Sequence, residues 1–333
     1  MIRGQKTEDR GQNLVCRHAA YPQNLRGRDE TYPQSSILCV AVTAQAVGTA
    51  RPTPCGCDPR SSKGFTLVEM IMVIVITGII GGMVAMFIRA PMQGYVDSAR
   101  RAEMTDIADT ALRRMSRDLR LALPNSVRVS PSGTYLEFIP TTGGGRYRTA
   151  LPGDPLNFAA ADPSFDVLGP AVTMQVGDQV VVYNLGIPGA DAYAGTSRRA
   201  YAGGAATTNN IGLNLAGGPF PFESPGNRFQ VVATPVTYVC APVAGGGGTL
   251  TRYWGYALQA AQPVNAAAAP LVGAASAVLA THVGLVVGAG GCSFSYNPNV
   301  VAQRTGVLTM QLTLTDNNES ITLHNATHVS NEP

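Results

Sequence analysis

The fold is decided by the stretch Gly64-Phe65-Thr66-Leu67-Val68-Glu69, followed by MIMVIVITGIIGGMVAMFI over residues 70–88. The second part runs for 19 residues without a charged side chain. At about 1.5 Å per residue, a helix of this length nearly matches the roughly 30 Å hydrocarbon thickness of a bilayer. The alternative is a fully buried core helix, but such helices seldom lack a polar face over this length. The stretch therefore predicts a single helix that spans a lipid bilayer.

A small residue stands before the apolar run, whereas a secretory signal places its cleavage site after it. Cleavage after Gly64 would therefore leave the apolar helix on the mature chain. Glu69 lies one turn into that helix, where an unpaired carboxylate is costly to bury. The α-amine that cleavage creates on Phe65, in the same chain or in a neighbouring subunit, is a natural partner. The alternative is that Glu69 lies in the headgroup region and reaches water.

This motif and the apolar helix behind it resemble the N-terminal signal of type IV prepilins and of type II secretion pseudopilins. The resemblance implies that a prepilin peptidase cuts after Gly64 and methylates Phe65, and that Glu69 guides subunit assembly. The implied partners are other major and minor pilins or pseudopilins and an inner-membrane assembly platform, with no cofactor. The implied location is a single pass through the inner membrane, with a cytoplasmic N-terminus and a periplasmic head. Arg60 and Lys63 on the inner flank agree with that orientation.

Beyond the span the pattern becomes amphipathic, which predicts that the helix continues and packs one face on a head. The apolar positions are Val96, Ala99, Met104, Ile107, Ala108, Ala111, Leu112, Met115 and Leu119. The predicted divisions are a leader at 1–64, a transmembrane half-helix at 65–92, an amphipathic half-helix at 93–123 and a β-rich head at 124–333. Together they make a type IV pilin-like α+β fold.

Two local features of the helix carry expectations of their own. Pro91 lacks a backbone donor and is expected to kink or break the helix near the membrane exit. The Arg and Asp residues of 113–120 are interpreted as a solvated face, with Asp109 and Arg113 paired four residues apart.

The head alternates short β-prone runs with segments rich in Gly, Ala, Pro and Asn. β-Branched and aromatic content and alternation predict strands at 127–130, 134–139, 179–185, 228–233, 236–240, 250–258, 293–296, 307–315 and 320–329. Asp316-Asn317-Asn318-Glu319 predicts a hairpin turn rather than a calcium loop, because its two carboxylates lack that spacing. Segments 141–170, 186–226 and 259–277 are predicted to be loops.

Two cysteines fall in the head, at Cys240 and Cys292. An oxidising periplasm would permit a disulfide between them, and the alternative is a pair of buried free thiols. Cys16, Cys39, Cys55 and Cys57 precede the predicted cut, and their spacing does not match a zinc site.

Composition and motifs argue against catalysis and against nucleic-acid binding. Charged residues make up 14% of the chain, and no lysine follows Lys63, so the sequence offers no basic face to phosphates. The sequence after Phe65 contains no nucleophile elbow, no metalloprotease helix and no phosphate-binding loop. His324 and His328 share a strand face but lack a third ligand, so no metal site is predicted. The chain is therefore predicted not to be an enzyme.

The head narrows the resemblance to minor pilin-like proteins of mannose-sensitive haemagglutinin (MSHA)-type pili. The residues that carry it lie at 117–129, 279–283, 292–296, 306–314 and 328–333. Three alternatives stay open: a J-type minor pseudopilin of type II secretion, a tip adhesin that binds through its Gly-rich loops, and an anchored periplasmic enzyme. Prepilin leaders are usually short, whereas 64 residues precede Phe65. We expect the true start to lie downstream, and the alternative is a cytoplasmic extension.

Overall fold

The computed structural model describes residues 64–285, 290–297 and 305–333. The chain divides into two compact units, Met1–Phe65 and Thr66–Pro333. Of the first unit only Gly64 and Phe65 are described, so the predicted leader and its four cysteines lie outside the described residues.

The second unit begins with helix α1, Leu67–Leu119, whose 53 residues span about 80 Å. Thr66 caps its N-terminus, because the Thr66 hydroxyl accepts a hydrogen bond from the backbone N–H of Glu69 at 3.3 Å. The helix continues without a break through Pro91, so the predicted break does not occur. A proline removes one backbone hydrogen bond, and the turns on either side keep theirs.

Only the C-terminal part of α1 packs on the head. Its buried apolar side chains belong to Met104, Ala108, Ala111, Leu112, Met115 and Leu119. Val96 and Ala99, which the sequence pattern included in this stripe, are exposed. The packed stripe therefore begins two turns later than predicted, where the sheet first reaches the helix.

Sixteen strands follow α1 in the described part of the chain: β1 (Arg128–Val129), β2 (Tyr135–Phe138), β3 (Thr141–Tyr147), β4 (Ser164–Leu168), β5 (Val172–Met174), β6 (Gln179–Val182), β7 (Arg198–Ala200), β8 (Ala206–Thr208), β9 (Asn210–Gly212), β10 (Arg228–Val232), β11 (Val236–Ala241), β12 (Gly248–Trp254), β13 (Ala275–Val283), β14 (Cys292–Asn297), β15 (Thr305–Asp316) and β16 (Glu319–Ser330). A short 3₁₀ turn, Leu215–Gly217, follows β9.

The strands form three antiparallel sheets. The largest has eight strands in the order β1-β2-β11-β12-β13-β15-β14, with β16 on the other edge of β15. A six-stranded sheet runs β7-β6-β10-β3-β4-β9, and β5 pairs with β8. The large sheet curls, because the Phe294 N–H on β14 donates to the Gly133 carbonyl beside β2 at 2.8 Å. The buried face of α1 packs against this curled sheet, and the six-stranded sheet has a separate core around Tyr147, Phe165 and Phe229. The molecule is thus one long helix followed by a β-rich head, the predicted α+β class.

The hairpin prediction for residues 316–319 is confirmed. Strands β15 and β16 pair over twelve positions from Thr305↔Ser330 to Asp316↔Glu319. Asn317 and Asn318 connect them with φ angles of 47° and 65°, a backbone region that asparagine tolerates better than most residues.

The predicted loops at 141–170, 186–226 and 259–277 were wrong in part, since they contain β3, β4, β7, β8, β9 and the start of β13. Strand β3 shows why: its sequence TTGGGRY has little intrinsic strand preference. A Cβ at Gly144 would lie 2.8 Å from the Phe229 carbonyl oxygen, and one at Gly145 would lie 3.1 Å from the Phe229 ring. These glycines are needed for close approach to β10, a requirement that only the tertiary structure reveals.

Candidate functional site

The first candidate site is the N-terminal half of α1. Its large apolar side chains are exposed, from Leu67 at 76% to Phe87 at 82%. The helix is long and apolar enough to cross a membrane, and within the described residues none of its most apolar window is buried. Thr77 is the only polar side chain between residues 70 and 88, and its hydroxyl donates to the Val73 carbonyl at 2.6 Å. Because this hydroxyl is satisfied inside its own helix, it adds little cost to burial in lipid or among helices.

The predicted processing residues stand directly before the N-terminus of this helix. A Cβ at Gly64 would have no atom within 4 Å, and the Phe65 side chain is 76% exposed. The Glu69 side chain is exposed and, within the described ranges, has no ion-pair partner. The Thr66 cap uses the backbone of Glu69, not its carboxylate. The carboxylate of Glu69 therefore remains available to a group outside this chain or to a newly formed amine.

A second cluster joins the helix to the tip of the β15–β16 hairpin. Arg101 holds Glu319 through two contacts, Nη2 to Oε1 at 2.8 Å and Nε to Oε2 at 3.1 Å. Arg100 contacts Asp316 at 3.1 Å. The hydrogen bond from Arg101 is the main reason that the pKa of Glu319 lies below its usual value. The hairpin turn is thus fastened to the helix about one turn before the packed stripe begins at Met104.

The arginine and aspartate residues at the end of α1 have two different roles. The predicted pair of Asp109 and Arg113 is present at 2.7 Å, and both side chains are exposed. Asp118, in contrast, accepts hydrogen bonds from Tyr238 Oη at 2.6 Å and from Arg252 Nε at 3.0 Å. The interpretation of the whole run as a solvated face was therefore wrong at Asp118, because sheet residues more than a hundred positions away meet it.

Cys240 on β11 and Cys292 on β14 form a disulfide, with Cα atoms 6.3 Å apart and a sequence separation of 52. Strands β11 and β14 are not hydrogen-bonded neighbours in the sheet. The disulfide therefore links strands across the curl of the sheet rather than along a ladder.

A buried polar network on the head was missed by sequence reasoning. Glu137 is fully buried and accepts from Arg128 Nε at 2.6 Å and from Tyr256 Oη at 2.9 Å. Burial raises the pKa of Glu137 despite both hydrogen bonds. Arg128 also lies over the ring of Tyr193, 3.6 Å from its centroid. The only available sequence signal was a lone acid in a short apolar strand, which does not identify its partners.

His324 and His328 are both exposed on β16. In the part of the chain that the structure describes, no group of three His, Cys, Asp or Glu side chains is placed to hold a metal ion.

One protein-family model, described as the prokaryotic N-terminal methylation motif, matches residues 59–85. No curated protein and no solved structure matches the chain. The matched residues include Gly64, Phe65 and Glu69 and most of the exposed apolar helix. The match supports a type IV pilin or pseudopilin type of protein, and it implies processing by a prepilin peptidase and assembly with other pilins. It points to a structural subunit rather than an enzyme, and with the apolar helix it suggests a membrane-anchored pilin.

Proposed function

We propose that the chain is a minor pilin-like subunit of an MSHA-type pilus, of the MshO kind, that acts in pilus assembly or tip priming. The observation that carries this proposal is the methylation motif on a helix whose apolar surface is uncovered. A single chain leaves that surface exposed, so lipid or the helices of other subunits must cover it. The head residues named above favour the MSHA type.

In this proposal the divisions predicted from sequence acquire roles. Residues 1–64 are the leader and are removed after Gly64, and Phe65 becomes the methylated N-terminus. Residues 65–92 form the transmembrane half of the helix, 93–123 the amphipathic half, and 124–333 the periplasmic head. The inner-membrane assembly platform then extracts the subunit into the fibre.

Glu69 sets the height at which the helix of one subunit packs beside the helix of the next. A carboxylate in an apolar helix bundle costs several kcal/mol unless a positive charge lies near it. The amine on the first residue of a neighbouring subunit offsets that cost only when the two helices are at the correct height. The glycines at 78, 81 and 82 lack side chains and face open space in the single chain, so a neighbouring helix could approach their backbone closely.

Mass spectrometry of the N-terminal peptide from the membrane-bound protein tests the processing step. The expected first residue is methylated Phe65. The control is Gly64→Arg, which should block processing without disturbing the described part of the chain, where a Cβ at this position meets no atom within 4 Å. An intact or differently cut N-terminus in the unaltered protein would overturn the proposal and leave an ordinary membrane-anchored domain.

Fibre incorporation tests the role of Glu69. Glu69→Val, Glu69→Ala and Glu69→Gln should each enter sheared fibres poorly, because all three remove the charge. Thr66→Ala is the matched control, since it weakens the helix cap by about 0.5–2 kcal/mol and keeps the carboxylate. Incorporation of the Glu69 variants at the wild-type level would contradict the pairing of Glu69 with the amine of a neighbouring subunit.

Deletion of the gene separates the pilus from its alternatives. Loss of MSHA-type pili with normal protein secretion is the expected result. Loss of secreted substrates with intact pili would assign the chain to the J-type pseudopilins instead. Normal fibres that no longer bind their surface would assign it to the tip adhesins.

A further inference from the structure

Strand β16 is a long strand at the edge of the large sheet. It pairs with β15 along all of Glu319–Ser330 and with no other strand in the described part of the chain. Among the described residues, no backbone hydrogen bond outside that ladder involves β16. Every second N–H and C=O of this strand therefore points away from the sheet. Such an edge is a ready template for a strand from another chain.

Natural proteins usually protect long edges with charged residues, prolines, bulges or a covering element. Helix α1 contacts β16 at Glu319 and Asn325, but the strand itself carries few of these devices. Between Ser320 and Ser330 the sequence SITLHNATHVS holds no Lys, Arg, Asp, Glu or Pro. Charged residues, prolines and bulges are the common devices against edge pairing. The β15–β16 register also runs through all twelve positions without a recorded shift, so no bulge turns the edge away. Among the described residues, the outward-facing backbone groups of β16 therefore have no strand partner over a length that suits strand addition.

A groove lined by arginine runs along part of this edge. Its walls are the end of α1, with Arg113, Arg117 and Arg120, and strand β16 at 325–327. Ser116 in the groove donates to Asn325 Oδ1 at 2.9 Å and ties the two walls together. Arg113 is engaged by Asp109. Within the described ranges, the guanidinium groups of Arg117 and Arg120 have neither an ion-pair nor a hydrogen-bond partner, so two positive charges beside the open edge are unmatched.

We propose that β16 and this arginine groove bind an extended segment of a neighbouring pilin-like subunit, which adds a strand to β16 and places carboxylates on Arg117 and Arg120. The identity of the partner as a pilin-like subunit rests on the proposed function. The backbone ladder supplies affinity that is independent of sequence, and the arginines select an acidic segment. Anionic lipid does not fit, because Arg117 lies 29 residues beyond Ile88, about 43 Å along a continuous helix. That distance is several Debye lengths.

The test uses the full chain in detergent micelles and two synthetic twelve-residue peptides. One alternates threonine with glutamate, and the other alternates threonine with lysine. Fluorescence anisotropy should show binding of the glutamate peptide and none of the lysine peptide. Hydrogen exchange should show that the glutamate peptide protects amides of 320–330. Binding without that protection would overturn strand addition, since it would show only an ionic contact.

Charge reversal on the helix provides matched variants. Arg117→Glu combined with Arg120→Glu should weaken binding of the glutamate peptide at least about tenfold. Arg114→Glu is the control, because Arg114 is exposed on the same helix but does not line the groove. The affinity of this variant for the glutamate peptide should stay within about twofold of that of the unaltered chain. Equal affinity of both variants would overturn the proposal.

In cells, a photo-crosslinking residue at Ala326, which is exposed in the groove, should join the full chain to a pilin-like subunit identified by its own N-terminal peptide. The peptide experiments do not depend on processing at Gly64. If the peptides bind as expected while Phe65 is not the N-terminus, the proposed function fails and the strand-addition proposal stands. If Phe65 is the N-terminus while the glutamate peptide does not bind, only the strand-addition proposal is rejected.

Discussion

Replacing Asp118 by alanine removes the acceptor that Tyr238 and Arg252 share. Both contacts join the end of α1 to the large sheet, at 2.6 Å and 3.0 Å. The Tyr238 side chain is fully buried, so water cannot replace Asp118 as the acceptor of its hydroxyl. We expect Asp118→Ala to be the most destabilising single change among the charged residues of this helix.

The magnitude follows from the two partners. An unsatisfied buried hydroxyl costs about 1–3 kcal/mol. Breaking a buried ion pair costs about 3–5 kcal/mol, but the Arg252 and Asp118 side chains are 19% and 27% exposed, so water reduces that loss. The two losses overlap because one carboxylate oxygen accepts both hydrogen bonds. We therefore expect the free energy of unfolding to fall by about 3 kcal/mol, which at a urea m-value of about 3 kcal/mol/M lowers the midpoint by about 1 M.

The assay is urea unfolding of the full chain in micelles, followed by fluorescence of the single tryptophan, Trp254, and by circular dichroism of the strands. The second probe is needed because Arg252 lies 4.9 Å from the Trp254 ring centroid, so the variant alters the fluorophore's surroundings. Asp109→Ala is the control, since Asp109 also pairs with an arginine on the same helix but is exposed, and it should cost at most about 0.5 kcal/mol. Equal midpoints for the two variants would refute the reasoning.

Three further predictions concern the head. Replacing Cys240 and Cys292 together by serine should lower the free energy of unfolding by about 4 kcal/mol, the chain-entropy value for a loop of 52 residues, and the same midpoint should follow from adding reductant to the unaltered protein. Burial, and next a nearby carboxylate, raise the pKa of Tyr256 above its usual value. The contribution of Tyr256 to stability is therefore full below about pH 10 and is lost as pH rises further. In unfolding curves measured at several pH values, Tyr256→Phe should flatten the fall of the unfolding free energy at alkaline pH. Arg101 lowers the pKa of Glu319, so the stabilisation from the Arg101–Glu319 contact is complete above about pH 4.5 and is lost as pH falls through the lower, folded value. Hydrogen exchange at the hairpin tip should rise in that acidic range, and Arg101→Ala should abolish this pH-dependent rise.

Features set by neighbours in the sequence were predicted well. The apolar run after Glu69 predicted a helix that spans a bilayer, and the structure has a helix long and apolar enough, whose apolar surface is exposed among the described residues. The turn at 316–319 was predicted because two asparagines adopt the required backbone conformation by themselves. Each of these signals needs only a dozen or so adjacent residues, so no knowledge of the tertiary structure was required.

Strand β3 shows where that reasoning stops. Its glycines predicted a loop, because intrinsic preference is the only information a short glycine-rich segment offers. In the structure Gly144 and Gly145 admit the backbone and ring of Phe229, more than eighty positions away. Propensity was overridden by a packing requirement that exists only once β10 lies beside it.

The sequence by itself determined an N-terminal methylation motif, a helix apolar and long enough to cross a membrane, and a packed face further along that helix, since these depend on local composition and period. Only the tertiary structure decided which charges are structural. Asp118 meets residues 120 and 134 positions away, and Glu137 meets a tyrosine 119 positions away. It also decided that, among the described residues, β16 pairs with β15 alone and borders a groove that Arg117 and Arg120 line. The physical reason is that the burial and the partners of a side chain are set by the folded sheet. Another aspartate of the same helix, Asp109, lies nine residues before Asp118 and forms only a solvated ion pair.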